Sequence, residues 1–308
     1  MQHLITLADW PADEVQHILT VARDLRQQWR GGGNQRLLGG KILGMLFQKP
    51  SLRTRVSFEC GMQHLGGTAM YLSPQEVQLG QRETVPDVAR VLSRFVDGIM
   101  ARVFAHRDVE ELARYSRVPV INGLSDKYHP CQALADYLTI SDRYGHLEGI
   151  NLLFVGDGNN VAHSLLVGGA KLGVNVTVAC PPGYEPAADV MALARGFAAS
   201  SGASVRVVSD PREAVADADV VYTDVWASMG QEDDAEQRRT AFAGFQVNAE
   251  LVRRARPGAI VMHDLPAHRG EEITDEVMDG PRSVVFDQAE NRMHAQKAVL
   301  ALLLQQRT

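Results

Sequence analysis

Apolar residues recur along this chain in two alternating patterns. Helical spacing appears first at Val15, Ile18, Leu19, Ala22 and Leu25, and it predicts a helix over residues 11–26. Short apolar runs bounded by glycine or polar residues predict buried strands between further helices. The predicted strands are 41–47, 68–72, 98–101, 118–122, 151–155, 174–179, 205–208, 220–223 and 259–262. The other predicted helices are 53–65, 85–95, 108–115, 132–143, 161–172, 188–200, 212–216 and 288–306.

This alternation of strands and helices predicts the α/β class, with parallel sheets covered by helices on both faces. The pattern restarts after Gly145, and 308 residues are enough for two domains. We therefore expect two doubly wound parallel-sheet domains, residues 1–145 and 146–287, joined through the helix at 132–143. The C-terminal helix, within 288–308, is expected to pack back onto the first domain.

Composition and charge narrow the class of protein further. The chain is 45% hydrophobic and 22% charged, which is typical of a globular protein, and its net charge of −6 argues against nucleic acid as a partner. It contains no run near the ~20 apolar residues that span a membrane, and its first residues do not resemble a signal peptide. Three widely spaced cysteines disfavour a disulfide framework or a zinc site. We expect a cytoplasmic protein that binds neither membranes nor nucleic acid.

Residues 50–55 read as an anion-binding site at the start of a helix. Pro50 disfavours helical geometry before it, and Ser51 is a good N-cap. A helix N-terminus offers free amide donors and the positive end of the dipole, and Arg53, Thr54 and Arg55 add guanidinium and hydroxyl groups. This combination suits a phosphate. The alternative is an ordinary capped helix with solvated arginines.

Polar residues follow several other predicted strands, where the ligands of parallel α/β sheets gather. These positions are Arg102, residues 129–132 (His-Pro-Cys-Gln), residues 157–160 (Asp-Gly-Asn-Asn), Asp224 and residues 263–266 (His-Asp-Leu-Pro). Loops are commonly polar, so the informative point is their combined chemistry: arginines, amides and a histidine in one group, carboxylates in the other.

Two other interpretations of these motifs can be tested on the sequence. Residues 156–161 follow a strand and open a helix like a dinucleotide fingerprint, but Val161 stands at the third glycine position. The next strand also lacks an acidic residue for a ribose, so a nicotinamide enzyme is disfavoured. A metal site at His263, Asp264 and His268 is conceivable, but Pro266 breaks any helical spacing between them. Hydrogen-bonded loop residues account for them better.

Taken together, the motifs resemble the ornithine branch of the transcarbamoylase family, which also includes the aspartate carbamoyltransferases. The resemblance runs essentially end to end. It rests on residues 51–55 (Ser-Leu-Arg-Thr-Arg), 78–80 (Gln-Leu-Gly), 129–136 (His-Pro-Cys-Gln-Ala-Leu-Ala-Asp), 156–160 (Gly-Asp-Gly-Asn-Asn), 224–230 (Asp-Val-Trp-Ala-Ser-Met-Gly) and 290–292 (Glu-Asn-Arg). The Ser-Met-Gly loop after Asp224 favours the ornithine branch.

The resemblance implies a carbamoyltransferase with its active site in a cleft between the two domains. Carbamoyl phosphate would be bound by Ser51, Leu52, Arg53, Thr54, Gln78, Arg102, His129, Gln132 and Arg292. Ornithine would be bound by Asn160, Asp224, Ser228, Met229, Asp264 and Leu265. The catalytic residues would be Arg102, His129, Asp264 and Arg292.

The implied reaction is attack of a neutral amine on the carbamoyl carbon with departure of phosphate. It needs no metal, cofactor or covalent intermediate. The resemblance also implies a homotrimer, or a multiple of trimers, in which Gln78 reaches the active site of a neighbouring subunit, and it implies a place in arginine biosynthesis.

One residue departs from the family pattern at the active centre. The ornithine branch has cysteine where this chain has Asp264. A carboxylate beside an ammonium raises the pKa of the amine and makes its attacking form scarcer, whereas a desolvated Asp264 could act as a general base. Three hypotheses follow: an ornithine enzyme that tolerates Asp264, which we favour, a carbamoyltransferase for another amine or diamino acid, or a catalytically weak ligand-binding relative.

Overall fold

The computed structural model describes residues 3–227 and 234–305. The chain divides into two compact units, the first formed by residues 1–138 and 291–308 and the second by residues 139–290. Both units are built around a parallel sheet, so the predicted pair of parallel-sheet α/β domains is confirmed.

Helices and strands alternate through the first part of the chain. The elements are α1 (Ala12–Arg30), β1 (Ile42–Phe47), α2 (Leu52–His64), β2 (Thr68–Leu72), α3 (Pro74–Val77), α4 (Val85–Leu92), β3 (Gly98–Arg102), α5 (His106–Tyr115), β4 (Val120–Leu124) and α6 (Pro130–Tyr144). The four strands form one sheet in the order β2-β1-β3-β4, and all its neighbouring pairs are parallel. The carboxyl ends of β1, β3 and β4 therefore meet at one edge.

The second unit repeats this plan with five strands. Its elements begin with β5 (Asn151–Val155), α7 (Asn160–Leu172), β6 (Asn175–Ala179), α8 (Ala188–Ser201), β7 (Val205–Val208) and β8 (Val220–Thr223). They continue with α9 (Ala235–Ala241), α10 (Ala249–Arg254), β9 (Ile260–His263), α11 (Asp275–Met278) and α12 (Val285–Leu304), whose last part belongs to the first unit. The sheet order is β7-β6-β5-β8-β9, again parallel throughout.

The main errors of the sequence prediction concern short helices. Helices α3, α9, α10 and α11 span four to seven residues and were not predicted. The helix predicted at 212–216 is instead a pair of 3-10 turns, Pro211–Glu213 and Val215–Asp217. One or two turns are too short to display a helical repeat of apolar residues, so the sequence carries little signal for them.

Within the first unit, α12 packs against α1 and α2 through a buried lysine. Lys297 is fully buried, and its ammonium group donates to the Asn34 side-chain oxygen at 2.7 Å and lies over the Trp29 ring at 5.6 Å. Its stem passes Gly61 of α2, where an added Cβ would lie 3.4 Å from Lys297 Cγ. Burial disfavours the charged form and lowers the pKa of Lys297 from 10.5 to about 8.

Among the helices of the described residues, none is both long and apolar enough to cross a membrane.

The shifted pKa of Lys297 predicts a stability gain at alkaline pH. Between about pH 8 and 10.5 the unfolded chain holds a proton on this lysine that the folded chain has lost, so stability rises with pH in that window. The unfolding free energies of the wild type and of Lys297→Met can be compared by urea unfolding. From pH 8 to pH 10.5 the unfolding free energy of the wild type should rise relative to that of the variant. A difference that stays constant over this range would contradict the assignment.

Candidate active site

The amino end of α2 lies beside the carboxyl ends of β1 and β3. Ser51 is the N-cap of α2, as predicted, and its hydroxyl accepts a hydrogen bond from the Thr54 amide at 3.3 Å. The amides of Leu52 and Arg53 precede the first helical hydrogen bond, which Arg55 donates to the Ser51 carbonyl. These two amides lie at the positive end of the helix dipole, where an anion is stabilised.

Two arginines converge on this helix start. Arg102 ends β3 in register with Phe47, the last residue of β1, and its guanidinium donates to Thr54 Oγ1 at 3.3 Å. Arg292 of α12 donates to the same hydroxyl at 2.9 Å. Both arginines and Thr54 are buried. A hydroxyl and two guanidinium groups are thus fixed next to the free amides of α2.

Arg292 also connects this group to the start of α6. Its guanidinium donates to Gln132 Oε1 at 3.1 Å and to His129 Nε2 at 3.1 Å. Gln132 in turn donates to Asp136 at 2.8 Å, which fixes the orientation of its amide. We call this set the arginine cluster; it consists of Ser51, Thr54, Arg102, His129, Gln132 and Arg292.

His129 is held in its neutral form. Burial first, and then the positive charges of Arg292, Arg102 and Lys49, lower the pKa of His129 well below its ordinary value. Because Nε2 accepts the hydrogen bond from Arg292, the ring proton lies on Nδ1. The cluster is therefore a cationic site whose positive charge comes from arginines and not from the histidine.

Not every residue singled out on the sequence joins this cluster. Leu52 has an exposed side chain, so only its backbone amide can contribute. Gln78 is exposed at the C-cap of α3, where its φ of 43° lies in the left-handed region. Among the described residues, the side chains of Arg53 and Gln78 make no hydrogen bond to the arginine cluster.

The second unit brings polar side chains together at the carboxyl edge of its own sheet. Thr223, the last residue of β8, pairs with Val155 of β5 and with His263 of β9, so the three strand ends lie side by side. Asn159 donates to Asp224 Oδ2 at 2.7 Å, and its own side-chain oxygen caps α7. Asn160, which the sequence singled out, is the first residue of α7.

Asp264 lies close to Asp224 and His263 at this edge. One side-chain ligand atom from each of the three residues lies within 4.8 Å of the other two. We call these residues, together with Asn159, the Asp224 cluster. Leu265 follows in a left-handed conformation, with φ of 61°, and precedes a cis proline. The predicted residues Ser228 and Met229 lie outside the described residues.

Both nitrogens of the buried His263 ring are engaged. Nδ1 accepts the Leu265 amide at 2.9 Å, and Nε2 lies 3.0 Å from Glu272 Oε1. The trio Asp224, His263 and Asp264 could therefore ligate a cation only if one of these bonds broke. A second trio with suitable spacing, His268, Glu271 and Glu272, shares the same engaged carboxylate.

A buried ion pair connects two of the loops that follow these strands. Arg238 of α9 donates to Asp157 at 2.7 Å and to the Trp226 carbonyl at 2.8 Å, and its guanidinium lies over the Tyr184 ring. Burial raises the pKa of Asp157, and the hydrogen bond and charge of Arg238 oppose that rise. Arg238 therefore holds the loop after β5 against the loop after β8.

Comparison with known proteins assigns the family. The model of the aspartate/ornithine carbamoyltransferase carbamoyl-P binding domain matches residues 2–142, and that of the Asp/Orn binding domain matches residues 148–303. The chain belongs to the aspartate/ornithine carbamoyltransferase family.

Similar proteins fall in the ornithine branch of this family. An anabolic ornithine carbamoyltransferase of Pyrococcus furiosus is 60% identical over 301 residues, covering 98% of this chain and 96% of the relative. The ornithine carbamoyltransferase of Thermococcus kodakarensis is 59% identical over 301 residues, with 98% and 96% covered.

Two solved structures extend the likeness to the fold. A P. furiosus ornithine carbamoyltransferase structure matches with a TM-score of 0.97 at 58% identity, covering 100% of this chain and 98% of the other. An anabolic ornithine carbamoyltransferase of Campylobacter jejuni matches with a TM-score of 0.94 at 38% identity, with 100% of both chains covered. The resemblance predicted from the motifs is confirmed.

Sequence reasoning did not assign individual roles to several polar residues that shape these carbamoyltransferase clusters. Asn159 carried a usable signal, because an asparagine between a strand and a helix is a typical N-cap. Arg238 and Glu272 carried none, since each meets its partners through the tertiary fold. For His263 the sequence favoured a hydrogen-bonded residue over a metal ligand, and the structure gives its ring bonds to Glu272 and to the Leu265 amide.

The structure also explains the glycine that suggested a dinucleotide fingerprint. A Cβ at Gly158 would lie 2.2 Å from the Pro186 nitrogen and 2.5 Å from the Glu185 carbonyl carbon. The Gly158 amide donates to the Tyr184 carbonyl at 2.9 Å, which keeps the two segments in contact. Glycine at position 158 therefore allows the backbone of residues 185–186 to pack closely against this loop.

Gly158→Ala should displace the loop that carries Asp157 and Asn159, because the backbone at residues 185–186 cannot move aside cheaply. We expect a loss of roughly 1–3 kcal/mol in unfolding free energy, as for other overpacked sites, measured by urea unfolding. Gly196→Ala, where an added Cβ meets nothing within 4 Å, is the matched control and should be neutral or stabilising. Equal stability of Gly158→Ala and the wild type would contradict the close packing.

Proposed function

We propose that this chain transfers the carbamoyl group of carbamoyl phosphate to the δ-amine of L-ornithine, giving L-citrulline and phosphate. The observation that carries the proposal is 57–60% identity, over nearly the full length, to proteins named ornithine carbamoyltransferase. The same observation favours ornithine over another amine as acceptor, and an enzyme over a weak binding relative, although Asp264 replaces the family cysteine.

The first domain, residues 1–145 together with the C-terminal helix, binds carbamoyl phosphate. The phosphate lies at the start of α2, against the amides of Leu52 and Arg53, the hydroxyls of Ser51 and Thr54 and the Arg53 side chain. Such a site combines the helix dipole with bidentate guanidinium donors. Arg102, His129, Gln132 and Arg292 surround the carbamoyl group. The hydrogen bonds that join these four residues and Thr54 support this assignment.

Catalysis follows from preorganised charge. As the amine attacks, negative charge grows on the carbamoyl oxygen and on the leaving phosphate, and fixed donors stabilise it without reorganising. Arg102 and Arg292 supply that charge at the carbonyl. His129 is neutral and keeps its orientation through Arg292, so it acts as a fixed polar partner and not as a general acid.

The second domain, residues 146–287, binds ornithine. Asn160, Asp224, Ser228 and Met229 hold its amino-acid end, and Asp264 and Leu265 lie beside the reacting amine. A carboxylate at position 264 favours the ammonium form of that amine and raises the amine pKa, so the attacking neutral form becomes abundant only at higher pH. The proximity of Asp264 to Asp224 supports this placement.

The protein acts in the cytoplasm, in arginine biosynthesis, as a homotrimer or a multiple of trimers. Gln78 of one subunit reaches the active site of its neighbour. The anabolic designation of the P. furiosus relative supports the biosynthetic direction. The exposed position of Gln78 is compatible with its use by another subunit.

Phosphate release from carbamoyl phosphate should depend on the acceptor. Among ornithine, lysine, putrescine, diaminopropionate, N-acetylornithine and aspartate, we expect ornithine to give a kcat/KM at least roughly tenfold above every other amine. One methylene of difference already contributes that much discrimination. Selective turnover of another amine would overturn the proposed acceptor.

The Asp264→Cys variant should keep ornithine as its preferred acceptor. We expect its pH–rate profile to move to lower pH, because the amine loses a neighbouring carboxylate that stabilises its charged form. Asp210→Cys, which alters an aspartate paired with Arg212 at the surface, is the matched control and should leave the profile unchanged. A change of preferred acceptor in Asp264→Cys would contradict this expectation and would show that residue 264 determines which amine is used.

A further inference from the structure

Glu272 joins the two ends of the loop that carries Asp264 and Leu265. The residue is fully buried. Its Oε1 atom lies 3.0 Å from His263 Nε2, before the loop, and accepts the His268 amide at 2.6 Å, after it. A single carboxylate oxygen therefore fixes both ends of residues 264–267.

His263 connects Glu272 to the backbone of residues 264–267. Its ring Nδ1 accepts the Leu265 amide at 2.9 Å, so the ring proton lies on Nε2 and points to Glu272. The His263 backbone amide donates to Gln288, whose side chain donates to the Tyr222 hydroxyl. The imidazole is therefore held in one orientation and one tautomer.

The held conformation is one that the loop would not adopt freely. Leu265 has φ of 61°, in the left-handed region, which is unfavourable for a residue with a Cβ. Such backbone conformations persist where the surrounding structure determines them. Here the determinant is the hydrogen bond from the Leu265 amide to His263, which Glu272 orients.

We propose that Glu272 is a positioning residue for the acceptor. Through the His263 ring and the His268 amide, it holds residues 264–267 so that Asp264 and Leu265 are in place before ornithine binds. The inference rests on the proposed function, because it assumes that these two residues contact the acceptor.

The same residues could be imagined as a proton relay from Asp264 through His263 to Glu272. The geometry disfavours a relay. Nδ1, the nitrogen nearer to Asp264, already accepts the Leu265 amide, and Asp264 Oδ1 lies 3.6 Å from it, beyond hydrogen-bonding distance. A relay would have to break the bond that keeps Leu265 in its conformation.

Two substitutions of Glu272 separate positioning from a relay. Glu272 Oε2 has no hydrogen-bond partner among the described residues, so a glutamine can keep its carbonyl oxygen at the Oε1 position and place its NH2 group at the other. Glu272→Gln therefore keeps both bonds but cannot take up a proton as a carboxylate does. Glu272→Leu fills a similar volume and loses both bonds.

We expect Glu272→Leu to raise the KM for ornithine at least roughly tenfold, with little change in the affinity for carbamoyl phosphate. Glu272→Gln should stay within a few-fold of the wild type in both kcat and KM, with an unchanged pH–rate profile. Glu271→Leu and Glu271→Gln are the matched controls, because the neighbouring Glu271 pairs with Arg239 at the surface, and they should resemble the wild type.

A loss of kcat of about 100-fold or more in Glu272→Gln, with KM unchanged, would overturn the proposal in favour of a relay. An unchanged ornithine KM in folded Glu272→Leu would also overturn it. If Glu272→Leu does not fold, Glu272→Asp takes its place with the same expected rise in the KM for ornithine, because its shorter side chain draws the carboxylate away from both donors. A wild type that does not carbamoylate ornithine would instead refute the proposed function, so the two failures are distinguishable.

Discussion

The arginine cluster of the first unit depends on one guanidinium group, that of Arg292. It donates to Thr54 at the start of α2, to Gln132 in the first turn of α6 and to His129 just before α6. Thr54 is distant along the chain from His129 and Gln132, and no other side chain in the described residues bonds to all three. The guanidinium of Arg292 is planar and carries several donors in fixed directions, so it can bond to all three residues at once. The ammonium of a lysine lacks this geometry.

In the second unit a buried carboxylate, that of Glu272, fixes the neighbouring polar groups in place. Glu272 orients the His263 ring, and His263 in turn holds a backbone amide of the loop that contains Asp264. In both units a buried histidine is fixed by a partner of opposite hydrogen-bonding role: an arginine donor for His129, a carboxylate acceptor for His263. In each case the contact fixes the orientation of the imidazole ring.

Much of the fold was readable from the sequence because it is encoded locally. Strands β2, β5, β7 and β8 match their predicted bounds residue for residue, since each is an apolar run between polar or glycine-containing segments. Ser51 was recognisable as an N-cap for a similar reason. The bond between Thr54 and Arg292 was not, because 238 positions separate them and no local pattern records the contact. Only the family resemblance pointed to Arg292.

The same limit applies to the carboxylates. The departure at Asp264 is visible in the sequence, but its proximity to Asp224 follows from the pairing of β8 with β9. Glu272 lies in a loop without periodicity, and its role appears only when the hydrogen bonds of His263 are traced. Positions that act through another residue are, for this physical reason, the last to be found from sequence.

The most direct test of this account is the affinity for carbamoyl phosphate when the Arg292 fork is removed. Calorimetric titration of Arg292→Lys should give a dissociation constant at least roughly tenfold above that of the wild type, a loss of ~1.4 kcal/mol or more. The matched control is Arg26→Lys. Arg26 of α1 donates to Asn291, the residue next to Arg292 on α12, and this variant should bind carbamoyl phosphate like the wild type. Equal affinities of Arg292→Lys and the wild type would contradict the central role of Arg292.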